Sequence, residues 1–338
     1  MANLPAELVA AILEHVYYTA TGAVDSQTLA SAALVCRHWQ ESAQRLLFKR
    51  VSLKGHRHEP AYLSFVQATD LATSRGRSLA QNIRVLEVSI GDSPEGLDES
   101  DLVNLIVGIR AIAILSCGIQ SPILYQLLSI WPCVNFLHLG VEIAAPPPKA
   151  WQPSFQLYEL ALMRTPRLWV FSWLLSSSTD SLRILTFRDL PWREFDPLLD
   201  KLGPRLRSLR LQNYSLRAVP TIRRCPNLEE FIVLRVPELI KLTPLPQTVE
   251  HLSCRFMLSE NGSLAQAVDL VGSLPRLRVF TCDSAVRKDE HIRDLETLCA
   301  AKGVELCFDE TPFWLREDPV PVQRFPRWRS VTNYALMN

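Results

Sequence analysis

The chain has 338 residues, 48% of them hydrophobic, and a formal net charge of +1. That length and apolar content suit a small module plus one larger domain, each with its own core, and the near-neutral charge argues against nucleic acid or an anionic membrane as a partner. Eight cysteines occur without a C-x-x-C pair and seven histidines show no ligand spacing against them, so neither a metal site nor any other cofactor is expected.

In chain order, Pro5 suits the first turn of a helix and Glu7 complements the positive end of its dipole. Leu8, Ile12 and Val16, with Val9 and Leu13 beside them, recur at helical spacing and predict one broad apolar stripe. Residues 17–27 break that pattern with the loop and N-cap types Thr19, Thr21, Gly22, Asp25 and Ser26. A second helix is expected to carry Leu29, Ala32, Ala33 and Cys36 on one side, continued by Val35 and Trp39. A third, over roughly residues 40–48, brings Leu46, Leu47 and Phe48 to the same core. Three helices in so short a segment bury little apolar surface, so surplus apolar side chains are expected to face a partner.

Taken together, Leu4-Pro5-Ala6-Glu7-Leu8, Ile12-Leu13 and Leu34-Val35-Cys36-Arg37-His38-Trp39 resemble an F-box. The linker Tyr17 to Gln27 is longer than in the most compact F-boxes, a departure that leaves the motif positions untouched. The resemblance implies docking on a Skp-family adaptor and, through it, on a cullin of an SCF-type ubiquitin ligase. It carries adaptor contact onto Leu4, Pro5, Leu8, Ile12, Leu29, Val35 and Trp39. Read from the residues alone, all seven also fit the core of a three-helix bundle.

Residues 1–53 therefore form the F-box-like module and 54–82 a helical linker. Within the linker a helix over 60–73, through Leu63, Val66 and Leu71, is expected to end at the basic turn Arg75-Gly76-Arg77. From 83 to 310 the pattern L-x-x-L-x-L returns. Its copies are Ile83-Leu86-Val88, Ile109-Ile112-Ile114, Val134-Leu137-Leu139, Leu157-Leu160-Leu162, Leu182-Leu185-Phe187, Leu206-Leu209-Leu211, Leu228-Phe231-Val233, Val249-Leu252-Cys254 and Leu277-Phe280-Cys282, with a degenerate Val304-Leu306-Phe308 after them. The intervals run from 21 residues (Leu228 to Val249) to 28 (Val249 to Leu277). Helical stretches such as 197–202 and 264–274 fill the gaps, and Pro132, Pro204, Pro226 and Pro275 stop the chain two residues before a copy.

This repeat resembles irregular leucine-rich repeats, although several copies lack the asparagine usual after the strand. The resemblance implies an α/β chain: a small three-helix F-box followed by a leucine-rich-repeat-like solenoid with a parallel sheet on its concave face. If the leucines point inward, the residues flanking them face out. His138, Glu159, Arg188, Arg210, Gln212, Glu230, His251, Arg255 and Asp283 then line that face, where they suit an unknown protein substrate or are simply solvated.

Residues 311–338 carry Phe313, Trp314, Phe325 and Trp328 among Pro312, Pro319, Pro321 and Pro326, and are expected to cap the last repeat. Pro146-Pro147-Pro148 reads as an exposed loop. The apolar stretch Leu102 to Ile119 is interrupted by Asn104 and Arg110 and falls short of a membrane span. Glu7 and Glu14 are out of place in a secretory signal, and Cys254 and Cys282 occupy apolar repeat positions as reduced thiols, so the expected location is cytoplasm or nucleus. With no G-x-S-x-G, phosphate loop or H-E-x-x-H, the expected role is a non-catalytic substrate-recognition subunit. The alternative is a ligase-independent scaffold in which the F-box-like helices merely cap the solenoid.

Overall fold

Three short helices open the chain: α1 (Ala6–His15), α2 (Ser26–Ala33) and α3 (Arg37–Leu47). The computed structural model describes residues 4–55, 60–90, 109–149, 151–236, 244–256, 264–310, 313 and 317–337. Asp25 caps α2, its carboxylate accepting from the Thr28 amide at 3.0 Å and the Thr28 hydroxyl at 2.8 Å, and the amide bond holds its pKa below the usual value. Both α1 and α2 pack on α3, and Val9, Leu13, Tyr17, Leu29, Ala32, Ala43 and Leu46 form the interior.

The second helix is shorter than its apolar pattern predicts. It ends at Ala33, where the amides of Leu34 and Val35 bond back three residues to Ser31 and Ala32, and Cys36 is fully extended. Trp39 therefore belongs to α3, and Val35 lies on the corner between the helices. The reading of 75–77 also changes. Two helices occupy the linker, α4 (Pro60–Ala68) and α5 (Ser74–Asn82), and Arg75-Gly76-Arg77 starts the second one. Thr73 caps α5 by accepting from the Gly76 amide at 2.9 Å. The turn requires glycine, because a Cβ on residue 76 would sit 2.0 Å from the Asp70 carbonyl oxygen.

A strand absent from the sequence reading, β1 (Arg50–Gly55), starts the sheet directly after α3. It pairs in parallel with β2 (Val85–Ile90), β2 with β3 (Ala111–Ser116), and β3 with β4 (Phe136–Leu139), while α6 (Ile123–Ile130) connects the last two. Val51, Leu86, Ile112 and Leu137 share one register row, and Leu53, Val88, Ile114 and Leu139 another. Phe48, Val51 and Leu53 carry the same spacing as the later copies, which is the signal that marks β1.

The chain divides into two compact units, 1–156 with 311–321 and 327–338, and 157–310 with 322–326. The second unit holds β5 (Glu159–Leu162), β6 (Ile184–Phe187), β7 (Ser208–Asn213), β8 (Glu230–Val236), β9 (His251–Phe256), β10 (Val279–Cys282) and β11 (Glu305–Phe308), each parallel to the next. Leu160, Leu185, Leu209, Phe231, Leu252, Phe280 and Leu306 form one continuous register row. Helices α7 (Leu168–Leu175), α8 (Asp196–Leu202), α9 (Ala218–Arg223), α10 (Ala265–Ser273) and α11 (Ile292–Lys302) occupy the connections. The last of these ends on Gly303 at φ 66°, the left-handed stop that glycine adopts most easily. Every residue of β6 and β10 is buried, as expected of parallel strands covered on both faces.

The described residues of the tail are held by bonds within each of the two units. In the first unit, Asp318 accepts from the Tyr18 hydroxyl at 2.5 Å, the Ser330 amide at 2.8 Å and the Asn333 amide group at 3.1 Å. Arg329 donates to the Gly22 carbonyl and sits 5.4 Å above the Tyr18 ring, and Arg327 pairs with Glu317 at 3.0 Å. Glu317, Asp318 and Arg327 are buried, and a buried charge goes where it finds partners. In the second unit, Arg207 pairs with Glu229 and donates to the Val322 and Gln323 carbonyls at 2.8 and 2.7 Å. Pro312 and Trp314 lie outside the described residues, as does the part of the apolar stretch from Leu102 to residue 108. No described helix is long and apolar enough to cross a membrane.

Candidate functional site

Helix α1 splits its apolar residues between two faces. Val9 and Leu13 are fully buried against α3, whereas Leu4, Leu8 and Ile12, spaced four residues apart, project outward. Leu8 is 51% exposed. At the corner after α2, Leu34 is 87% and Val35 65% exposed, values that no packing within the module explains. One hydrogen bond joins the two groups: the His38 Nε2 atom lies 2.9 Å from the Leu4 carbonyl oxygen, bringing the start of α3 against the segment that precedes α1. Leu4, Pro5, Leu8, Ile12, Leu34 and Val35 thus belong to one small module and all are exposed.

Of the seven adaptor-contact candidates, five (Leu4, Pro5, Leu8, Ile12 and Val35) are exposed and Trp39 is half-buried on α3. Leu29 is a correction. It is fully buried beneath α3, because it sits one turn into α2 on the side that meets α3, and it serves the core. Leu34, which lies outside those seven candidates, is exposed as well.

The polar set predicted for the sheet face divides differently. Arg188 is exposed at the end of β6; His138, Glu159, Gln212, Arg255 and Asp283 are half-buried. Arg255 donates to the Glu310 carbonyl at 2.9 Å, and burial raises the Asp283 pKa. Arg210, Glu230 and His251 contradict the expectation of a solvated face, for all three are buried and bonded to one another. Arg210 Nη2 meets Glu230 Oε1 at 2.6 Å, His251 Nδ1 lies 2.7 Å from Glu230 Oε2, and the Ser208 hydroxyl donates to Glu230 Oε1 at 2.5 Å. His251 Nε2 and Thr281 Oγ1 are 3.1 Å apart.

The register explains the cluster. Ser208, Glu230 and His251 are direct neighbours across β7, β8 and β9, so their side chains leave the same face one strand spacing apart. Burial alone would raise the Glu230 pKa. The Arg210 charge, the His251 hydrogen bond and charge, and the Ser208 hydroxyl outweigh it and hold the carboxyl at about 2. The Thr281–His251–Glu230 connectivity is that of a nucleophile, base and carboxylate. All three are buried, however, and Glu230 is paired with Arg210, so these side chains brace neighbouring strands from within.

Among the described residues no group of histidine, cysteine and carboxylate side chains is placed to hold a metal ion. The buried thiols of Cys225, Cys254 and Cys282 are pushed well above the ordinary cysteine pKa, chiefly by burial, which suppresses the reactive thiolate.

A family model described as F-box-like matches residues 1–54, so this segment is similar to F-box domains and supports an F-box protein. No curated protein matches the chain.

Proposed function

We propose that this chain is the substrate-recognition subunit of an SCF-type cullin–RING ubiquitin ligase. Residues 1–53 dock on a Skp-family adaptor, and the strand–helix repeats, read as a leucine-rich-repeat-like solenoid, bind a target protein. The observation that carries this reading is the outward apolar set Leu4, Leu8, Ile12, Leu34 and Val35 within the segment similar to F-boxes. Exposed leucines on a small helical module cost solubility unless a partner covers them. The chain itself has no chemistry to perform in this role. Holding a target lysine near a charged conjugating enzyme turns a bimolecular encounter into a tethered one, and the rate gain comes from effective concentration.

The test is co-purification of the full chain with a Skp-family adaptor. Leu34→Asp with Val35→Asp is expected to abolish adaptor capture while leaving the melting temperature nearly unchanged, because both side chains are already in water. Trp39→Ala is a poorer probe, since its half-buried ring also supports the fold. Unchanged capture by the double variant, or no capture by the well-folded wild-type chain, would sink the proposal and favour a ligase-independent scaffold.

A further inference from the structure

The large apolar side chains exposed in the second unit, among its described residues, are Trp169, Trp192 and Leu216. All three follow the same end of consecutive parallel strands. Trp169 comes after β5, Trp192 after β6 and Leu216 after β7. Neighbouring connections are tied together: the Thr165 hydroxyl donates to the Asp189 carbonyl at 3.1 Å, and Arg217 donates to the Pro191 carbonyl at 3.0 Å. The row is therefore one continuous rim.

Its composition is that of a binding surface. Trp192 is 68% and Leu216 70% exposed, and the Arg217 guanidinium lies 4.8 Å above the Trp192 ring centre, holding the indole in place before any partner arrives. Tryptophan and arginine dominate the energetics of protein interfaces, and loops on a rigid sheet are where recognition residues sit. The charge is one-sided. Arg164, Arg188, Arg193 and Arg217 are exposed here against Asp189 and Glu194, and neither Arg188 nor Arg193 forms an ion pair among the described residues.

We propose that this rim docks an acidic segment of a partner protein, an Asp/Glu-rich stretch whose large apolar side chain seats against Trp192 and Leu216. Carboxylates suit the site better than phosphate. The Arg217 head is already engaged with Pro191 and Trp192, and the two rim carboxylates repel a dianion more than a single charge. The partner's fate as a ubiquitination substrate rests on the receptor reading above; the surface and its ligand chemistry do not.

The full-length chain is tested against arrayed synthetic peptides. Each carries Asp and Glu around one Leu, Phe or Trp; matched sets replace the acids with Lys and Arg, the apolar residue with Ala, or the acids with phosphoserine. The acidic, apolar peptides are expected to bind roughly tenfold tighter than the basic and Ala sets, and Trp192→Ala with Leu216→Ala to remove that binding. Arg188→Glu with Arg193→Glu, conservative for the fold because both side chains are exposed, is expected to erase the preference for acids. Equal binding of basic peptides, unchanged binding by either folded double variant, or binding of the phosphoserine set alone overturns the proposal. Adaptor capture is measured on the same preparations. No binding of the acidic, apolar peptides by the wild-type chain with its adaptor capture intact refutes the rim alone, and no adaptor capture by a wild-type chain that binds those peptides refutes the receptor reading alone.

Discussion

Replacing Glu230 with Gln removes a charge from the best-buried ion pair in the second unit. Arg210 and Glu230 are both 0% exposed and 2.6 Å apart, so the variant takes the facing negative charge away from a guanidinium that water does not reach. Removing one partner of a buried pair costs about 3–5 kcal/mol, because the remaining charge keeps its desolvation penalty and loses its compensation. The glutamine carbonyl oxygen can still accept on the side of the carboxylate that faces Ser208 and Arg210, which places the expected loss nearer the lower bound. For a unit of this size each kcal/mol shifts the melting temperature by about 2–4 °C, so a fall of at least about 6 °C is expected. The assay is thermal melting of the full chain by circular dichroism, with hydrogen exchange of the β7, β8 and β9 amides to show that the loss is local. Arg210→Met with Glu230→Leu, which removes both charges, is expected to recover most of the stability. A Glu230→Gln melt within about 1 kcal/mol of wild type, or a double variant no better than the single one, would refute the brace.

The same carboxyl makes the second unit acid-sensitive. Its folded pKa of about 2 lies below the usual carboxylate value near 4.3, so its contribution is complete above about pH 4.3 and is lost as pH falls toward 2; Glu230→Gln should flatten a stability-versus-pH curve in that window. Tyr18→Phe removes one of the three described donors to buried Asp318 and should cost about 1–2 kcal/mol, whereas Asp318→Ala removes all three bonds and should make the tail the first site of limited proteolysis. Equal protease resistance in the two variants would show that the tail is held by something else. Gly76→Ala is expected to destabilise the first unit by more than about 2 kcal/mol in urea unfolding, since the added Cβ meets backbone that cannot step aside. A neutral result there would mean that the Asp70 turn can be redrawn.

Much of the second unit was legible in the residues. Leu160, Leu185, Leu209, Phe231 and Leu252 align by their spacing, and the strand register places them in one row for the same reason: each copy must bury its middle leucine. Helix stops at proline and the Asp25 cap are equally local, because the atoms involved are within a few residues of one another. The F-box-like segment was recognisable too, yet its apolar pattern did not say which leucine faces in. Leu8 and Leu13 are alike to any hydropathy measure, and only the position of α3 buries one and exposes the other.

The polar residues show where sequence stops deciding. Arg210, Glu230 and His251 occupy positions that a solvated sheet face would also fill with charge, and no single copy reveals that its neighbours carry the complementary group. Register assembles them, across gaps of 20 and 21 residues, and burial then turns three surface-like side chains into an internal brace. The tail is the same case at longer range: Tyr18 and Asp318 are 300 positions apart, and nothing local marks them as partners. What the sequence determined by itself was periodic or local, the phase of the strands, the caps and the motif. What the tertiary structure decided was which polar and apolar groups meet solvent, because exposure is a property of the neighbours a side chain acquires when the chain folds.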